Sequence, residues 1–246
     1  MEKKDNKQEN KKCRIYYLDA GGCNGCYLEL IATVYSKYDP DDIDIDKVGS
    51  AGQADIVIVT GPVNWKNKEE VLEKIDRAPE PKRLMVTGSC TISEGAFLGS
   101  KNISGPVDEL READLYIPGC PVSPESMMDG LKQLVDEIKE ELEEGGADIE
   151  ESKGINLERQ EDFRGEHIHD KERCIYCGKC AEKCPSASII VEKEKEEWKV
   201  DLGRCLFCGR CKEVCPVDAI SFSNNFEMAE KDREELWSKG NPGKGT

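Results

Sequence analysis

Cysteine is the residue type in this chain best suited to chemistry, and its spacing says which chemistry. There are 13 cysteines in 246 residues, and eight of them fall between Cys174 and Cys215. They form the same pattern twice: Cys174-Ile-Tyr-Cys177-Gly-Lys-Cys180-Ala-Glu-Lys-Cys184-Pro, then Cys205-Leu-Phe-Cys208-Gly-Arg-Cys211-Lys-Glu-Val-Cys215-Pro. Three thiolates at two-residue intervals can wrap three corners of an iron–sulfur cubane. In two-cluster ferredoxins the fourth cysteine, before proline, crosses to the other cluster. That rule groups Cys174, Cys177, Cys180 and Cys215 on one 4Fe–4S cluster, and Cys205, Cys208, Cys211 and Cys184 on a second. Zinc also takes C-x2-C pairs, but four ligands would satisfy it without a third cysteine at the same interval and a fourth before proline, twice over. An odd cysteine count argues against a disulfide scaffold and for metal ligation in a reducing compartment.

Four other cysteines lie far apart. Cys23 and Cys26 sit in Gly21-Gly22-Cys23-Asn24-Gly25-Cys26, Cys90 in Thr87-Gly88-Ser89-Cys90, and Cys120 in Pro118-Gly119-Cys120-Pro121. Each site follows a β-rich run. The candidate strands are 14–18, 43–47, 55–60, 83–87 and 114–117, with helices at 27–38 and 68–77 between them. Strands separated by helices imply a parallel sheet with helices on its faces. Ligands of such a sheet collect at the carboxyl ends of its strands, so the four cysteines should converge on one edge. The flanking glycines permit close backbone approach to sulfur, and a helix starting near Tyr27 would direct N–H groups at an anion. The competing reading is buried core thiols. Cys13, which precedes the first strand, is read as such a thiol.

The clearest helix follows Cys120. Ser123 can cap it, Pro124 suits the first helical position, and Met127, Leu131, Leu134, Val135, Ile138 and Leu142 recur at spacings of three and four. Gly145 and Gly146 should end it. The stretch 136–162 carries 12 acidic and 3 basic residues, which reads as a solvated helix face running into a linker, with an acidic docking arm as the alternative. The expected organisation is a tail over 1–12, an α/β domain over 13–144, an acidic linker over 145–165, and a small α+β two-cluster domain over 166–246 with a C-terminal helix.

The formal charge is −16, from 35 basic and 51 acidic side chains. Such a balance opposes a phosphate backbone, so no nucleic-acid partner is expected. No apolar run approaches the roughly 18 residues that would span a bilayer, and the opening MEKKDNKQENKKC does not read as a secretory signal. A phosphate-binding glycine loop followed by Lys is missing, as is a Cys–His nucleophile pair. Tyr176 and Phe207 read as packing that shields the clusters, and His167 and His169 as structural.

Two resemblances sharpen these expectations. Residues 13–142, through Gly22-Cys23-Asn24-Gly25-Cys26 and Tyr116-Ile117-Pro118-Gly119-Cys120-Pro121, resemble the small, proximal-cluster subunit shared by complex I and membrane-bound energy-converting nickel–iron hydrogenases. Residues 160–237, with Phe163-Arg-Gly-Glu-His-Ile before the first motif and Asn225-Phe-Glu-Met-Ala-Glu-Lys-Asp-Arg after the second, resemble the two-cluster ferredoxin subunit of the same complexes. The likeness implies a flavodoxin-like fold, a 4Fe–4S cluster on Cys23, Cys26, Cys90 and Cys120, and hence three 4Fe–4S clusters in one chain where two subunits are usually separate. It further implies a soluble ferredoxin as donor, a hydrogenase-like large subunit as acceptor, membrane-embedded ion-translocating subunits, and a cytoplasmic position on the inner face of the cell membrane. The C-x2-C at Cys23/Cys26 matches the hydrogenases, because complex I has adjacent cysteines there. Alternatives are the same relay in a quinone or sulfur-compound reductase, or a stand-alone carrier. Tyr27 stands where the family usually has an acid, and Ser93-Glu94-Gly95 replaces Ser-Gly-Gly. Glu29 matches a family carboxylate for which a proton-relay role competes with a surface or partner-pairing role.

Overall fold

The computed structural model describes residues 12–34, 43–144, 157 and 160–240. The first unit holds the strands β1 (Cys13–Asp19), β2 (Ile45–Lys47), β3 (Ile56–Thr60), β4 (Val63–Asn64), β5 (Arg83–Thr87), β6 (Ile103–Gly105) and β7 (Leu115–Ile117). Five form one parallel sheet in the order β2-β1-β3-β5-β7, while β4 and β6 make a separate antiparallel pair. With that pair set aside the order is 2-1-3-4-5, the flavodoxin-like arrangement. All five expected strands are present.

Side chains alternate across a strand, and here both faces are apolar. Ile56 and Ile58 of β3, Met85 of β5, and Leu115 and Ile117 of β7 pack on one side with Leu30 of α1 (Gly25–Ala32) and Met127, Leu131, Leu134 and Val135 of the long helix described below. Val57, Val59, Leu84, Val86 and Tyr116 face the other way, against Val71 and Ile75 of α2 (Lys68–Asp76) and Ile92 of α3 (Ser89–Ser93). The same cluster continues into Val200, Leu202, Ile220 and Leu236 of the second unit. The two units therefore share one core.

The helix α4 (Pro124–Glu144) begins as expected, with Ser123 Oγ accepting the Ser126 N–H at 3.1 Å. Gly130 lets it lie close on the sheet, since a Cβ there would stand 2.3 Å from Ile117 Cδ1. Farther along, Lys139 Nζ meets Asp44 Oδ2 at 2.5 Å, with side-chain exposures of 9% and 13%. The helix expected over 27–38 starts two residues earlier, at Gly25, so Cys26 lies in its first turn. Residues 35–42 lie outside the described residues, as do 1–11 of the expected tail and most of the expected linker.

The second unit contains β8 (His167–His169), α5 (Lys179–Glu182), β9 (Ile189–Glu192), β10 (Glu197–Asp201), α6 (Arg210–Glu213), β11 (Ile220–Phe222) and β12 (Trp237–Ser238). Antiparallel ladders join β8 to β11, and β9 to β10 to β12. Each cysteine loop runs into a single helical turn and then a strand, so the sequence repeat is a structural repeat. The expected C-terminal helix is not found among the described residues. Asp232 accepts the Glu234 N–H and caps a 3-10 turn over Arg233–Leu236, after which Trp237 and Ser238 pair with β10. Arg233 is held by Asp201 at 2.6 Å and Leu236 is buried, so tertiary partners override the local helix preference of this charged stretch. Upstream, Glu230 exchanges both backbone hydrogen bonds with Tyr116, at 2.8 and 3.0 Å, and covers the edge of β7.

Breaking one partner of the Asp44–Lys139 pair strands a buried charge. Lys139→Met should cost about 3–5 kcal/mol in denaturant unfolding. Adding Asp44→Asn, which keeps a residue tolerant of the left-handed φ of 54° at that position, should recover most of the loss.

Candidate cluster sites

The N-terminal site is built at the carboxyl edge of the sheet. After β1, Asp19 Oδ1 accepts the N–H groups of Gly21 and Gly22, each at 2.8 Å, and sets the loop that carries Cys23. Asn24 takes a left-handed φ of 65° and turns the chain into α1, which places Cys26. After β5, Gly88 (φ 94°) leads into α3 and Cys90. A Cβ on Gly88 would come within 2.9 Å of Cys26 Sγ, so this glycine makes the room Cys26 uses. The Ser89 N–H donates to the Gly119 carbonyl at 2.9 Å and ties the Cys90 loop to the Cys120 loop after β7. Burial pushes the Cys26 thiol up to about 12 against a backbone hydrogen bond from Val122, and the charges of Cys90, Cys120 and Cys23 add to the rise. Cys90 is raised by burial and then by Cys120 and Cys23, and Cys120 by burial, Cys23 and Cys208. The structure thus brings Cys23, Cys26, Cys90 and Cys120 together, with Cys23 and Cys120 at the surface.

The second unit forms two further groups. Burial pushes Cys205 and Cys211 up to about 12, and the neighbours that add to this are Cys184 and Cys208 for both. Cys174 is raised by burial and by Cys215 and Cys177, and Cys180 by burial and by Cys174 and Cys177. A small cavity is lined by Cys174, Cys177, Cys180 and Cys215, with Tyr176 and Trp198 in its wall. Cys184 thus lies near Cys205 and Cys211 of the second repeat, and Cys215 beside the cysteines of the first. Matching N–H groups point at sulfur in each half: Tyr176 N to Cys174 at 3.4 Å and Phe207 N to Cys205 at 3.2 Å, then Ser188 N to Cys184 at 3.3 Å and Ala219 N to Cys215 at 3.2 Å. Cys184 alone among the described cysteines has its pKa lowered. Burial raises it, but hydrogen bonds from Ser188 and Ser186 outweigh that.

Cys26, Cys205 and Cys211, which burial holds towards the neutral form, need a cationic partner in order to ligate as thiolates.

The groups also lie within electrostatic reach of one another: Cys180 raises Cys211, and Cys208 raises Cys120. The Cys205 group thus neighbours both the Cys174 group and the N-terminal group. Two buried hydroxyls hold this junction: Ser89 Oγ donates to the Cys205 carbonyl at 2.6 Å, and Ser93 Oγ to the Gly203 carbonyl at 2.9 Å.

His167 and His169 are buried packing residues. His167 meets Phe222 edge-on at 4.7 Å with Nε2 4.0 Å from Cys205 Sγ, and burial pushes its pKa down to about 4. His169 stacks on Trp198 at 4.7 Å. Tyr27, beside Cys26, stacks on Tyr17 at 4.5 Å. The Glu29 carboxylate, one turn on, makes no hydrogen bond or ion pair with a described residue. Glu94 adopts φ 65°, a conformation that favours glycine. Cys13 is the first residue of β1, not a residue before it, and is buried in the core. Sequence reasoning did not single out Ser89, Ser93, Trp198, Ser186 or Ser188. Only the last two left a signal, as a difference between the repeats.

Comparison with known proteins agrees with this geometry. The family of the 20 kDa subunit of NADH ubiquinone oxidoreductase matches residues 23–134, and a 4Fe-4S dicluster domain matches residues 167–222. A probable membrane-bound hydrogenase subunit of Pyrococcus furiosus is 35% identical over 137 residues, covering 53% of this chain and 82% of that protein. The chain belongs to this 20 kDa-subunit family. Formate hydrogenlyase subunit 7 of Escherichia coli is 31% identical, over 57% of this chain and 55% of its own length, so the chain spans about half of that relative. A chain of the membrane-bound sulfane sulfur reductase, an archaeal respiratory membrane complex, aligns with a TM-score of 0.46 and 30% identity, covering 53% of this chain and 72% of that one. As a member of the family with an added dicluster domain, the chain is a 4Fe–4S-binding oxidoreductase subunit. Among the described residues no helix is long and apolar enough to cross a membrane.

Ser89→Ala leaves the buried Cys205 carbonyl without that donor. An unsatisfied buried group costs about 1–3 kcal/mol, so the thermal midpoint should fall while iron content stays unchanged, measured side by side on the same preparation.

Proposed function

We propose that this chain is the electron-relay subunit of a membrane-bound, energy-converting nickel–iron hydrogenase. In this reading three 4Fe–4S clusters stand in series. Cys174, Cys177, Cys180 and Cys215 hold the outer one, Cys184, Cys205, Cys208 and Cys211 the middle one, and Cys23, Cys26, Cys90 and Cys120 the last. Such a cluster takes up and returns one electron at a time. The observation that carries the proposal is the junction itself, where Ser89 and Ser93 tie the Cys90 loop to the carbonyls of Cys205 and Gly203 and bring the groups within electrostatic reach, which supports a continuous path.

The residues divide the work by position. The outer loop presents Ile175, 56% exposed, beside Cys174 and suits entry of electrons from a soluble reduced ferredoxin. At the other end Cys23 and Cys120 lie exposed, with Leu28, 64% exposed, on the same helix as Cys26. That edge suits a separate large subunit in which nickel–iron reduces protons, coupled to ion translocation by membrane-embedded subunits. The C-x2-C at Cys23/Cys26 favours this over a quinone-reducing relative. Attachment is peripheral, through partner subunits.

The full complement predicts about twelve iron and about twelve sulfide per chain. Cys120→Ala should bring both to about eight, leave the two ferredoxin-type electron paramagnetic resonance signals intact, and stop turnover. Unchanged iron in that variant would contradict the ligand set. The anaerobically purified complex should contain nickel and evolve hydrogen from reduced ferredoxin. A nickel-free complex that instead reduces a quinone or a sulfur compound would overturn the hydrogenase assignment.

A further inference from the structure

The two halves of the ferredoxin-type unit keep the same backbone and differ in what surrounds one sulfur. After the fourth cysteine the first half reads Cys184-Pro185-Ser186-Ala187-Ser188 and the second Cys215-Pro216-Val217-Asp218-Ala219. Ala187 and Asp218 share a left-handed φ, 49° and 48°, and the Ser188 and Ala219 N–H groups reach their sulfurs at 3.3 and 3.2 Å. Only the first half adds hydroxyls. Ser188 Oγ lies 3.1 Å from Cys184 Sγ and Ser186 Oγ 3.7 Å from it, and both serines are 1% exposed. In the second half the corresponding side chains are Val217 and Ala219, which offer nothing to Cys215.

A thiolate bound to iron has no proton to give. Each hydroxyl can then only donate, and a donated hydrogen bond favours the more negative state of the site. The middle site is where that help counts. Two of its cysteines, Cys205 and Cys211, are each 7% exposed, and it has an anionic cluster site on either side. Adding an electron there raises a charge that is poorly solvated and repelled from both directions. Left alone, the middle position would be the highest step of the relay.

We propose that Ser188 and Ser186 set the reduction potential of the middle cluster, raising it through Cys184 so that the enclosed site stays level with its neighbours. This rests on the three-site reading above. Hydrogen bonds to sulfur and solvent access are among the levers that fix such potentials. In the outer group Trp198 acts on Cys180, so Cys215, the counterpart of Cys184, still has no side-chain donor of its own.

The test is an anaerobic redox titration of the whole complex, followed by electron paramagnetic resonance. In the Ser186→Ala/Ser188→Ala double variant, one ferredoxin-type signal should become about tenfold harder to reduce, about 59 mV lower for a one-electron couple, while the other stays in place. Ser188→Thr, which retains a hydroxyl, should stay near the wild-type value. Ala219→Ser, which carries the closer of the two hydroxyls into the other half, should raise the second signal. Iron content of the variants should equal that of the wild type. Unmoved potentials in loaded protein, or both signals shifting equally, would overturn the proposal and leave the relay standing. Should the double variant lose iron, Ala219→Ser decides alone, and an unmoved second signal there overturns the proposal. Wild-type complex without two ferredoxin-type signals would overturn the relay itself.

Discussion

The parallel sheet is apolar on both faces, and that single constraint organises the molecule. One face is closed by α1 and α4. The other is closed only in part by α2 and α3, and the remainder is completed by Leu202, Leu236 and their neighbours in the ferredoxin-type unit. Burying that face is worth roughly 25 cal/mol per Å² of apolar surface removed from water, so the second unit is seated on the sheet by the same force that folds the first. Its position then follows. Ser89 and Ser93 meet the carbonyls of Cys205 and Gly203, and Glu230 closes the edge of β7. The Cys205 group comes to rest against the Cys90 and Cys120 loops because the core leaves no other seat.

Electrostatics works against this compactness. Cys26, Cys205 and Cys211 are pushed towards the neutral form by burial and by neighbouring thiols. Loops that held their sulfurs alone would gain nothing from ionising them. The N–H groups of Tyr176, Phe207, Ser188 and Ala219, and the turn into α1, offset part of that cost with fixed dipoles that need no reorganisation. The rest falls to the metal. Folding and cluster assembly are therefore coupled: the backbone supplies preformed donors, and the cation makes the thiolates tolerable.

Much of this was legible in the sequence, for identifiable reasons. The five strands were readable because continuous aliphatic runs such as Ile56–Thr60 have few other uses, and α4 because its apolar stripe sustains a helical period. The convergence of Cys23, Cys26, Cys90 and Cys120 was readable because strand-end placement is topological, and the internal repeat because its spacing is local. The C-terminal helix was misread because Asp201, β10 and the core captured Arg233, Trp237 and Leu236, none of which composition reveals. The serine clamps were invisible for a related reason. A Ser next to a ligand says nothing until its carbonyl partner, 116 residues away for Ser89, is in place. Ser186 and Ser188 could have been found by asking where the repeats differ, since symmetric halves expose an asymmetric function.

Carrying both units on one chain changes the energetics of their contact. Two free proteins meeting at this junction would lose translational and rotational freedom, an estimated 4–15 kcal/mol. A shared chain converts that encounter into an intramolecular one. The junction is made specific by a few buried hydroxyls, a two-bond bridge at an edge strand, and Gly203, where a Cβ would come within 2.9 Å of Ile92 and Leu236. Such contacts fix orientation, while the shared apolar core supplies the binding energy. A relay needs that division of labour, because the distance between neighbouring sites governs the passage of an electron and the linkage merely keeps the sites in register. Ile175 at one side and Cys23 and Cys120 at the other are left exposed by this arrangement.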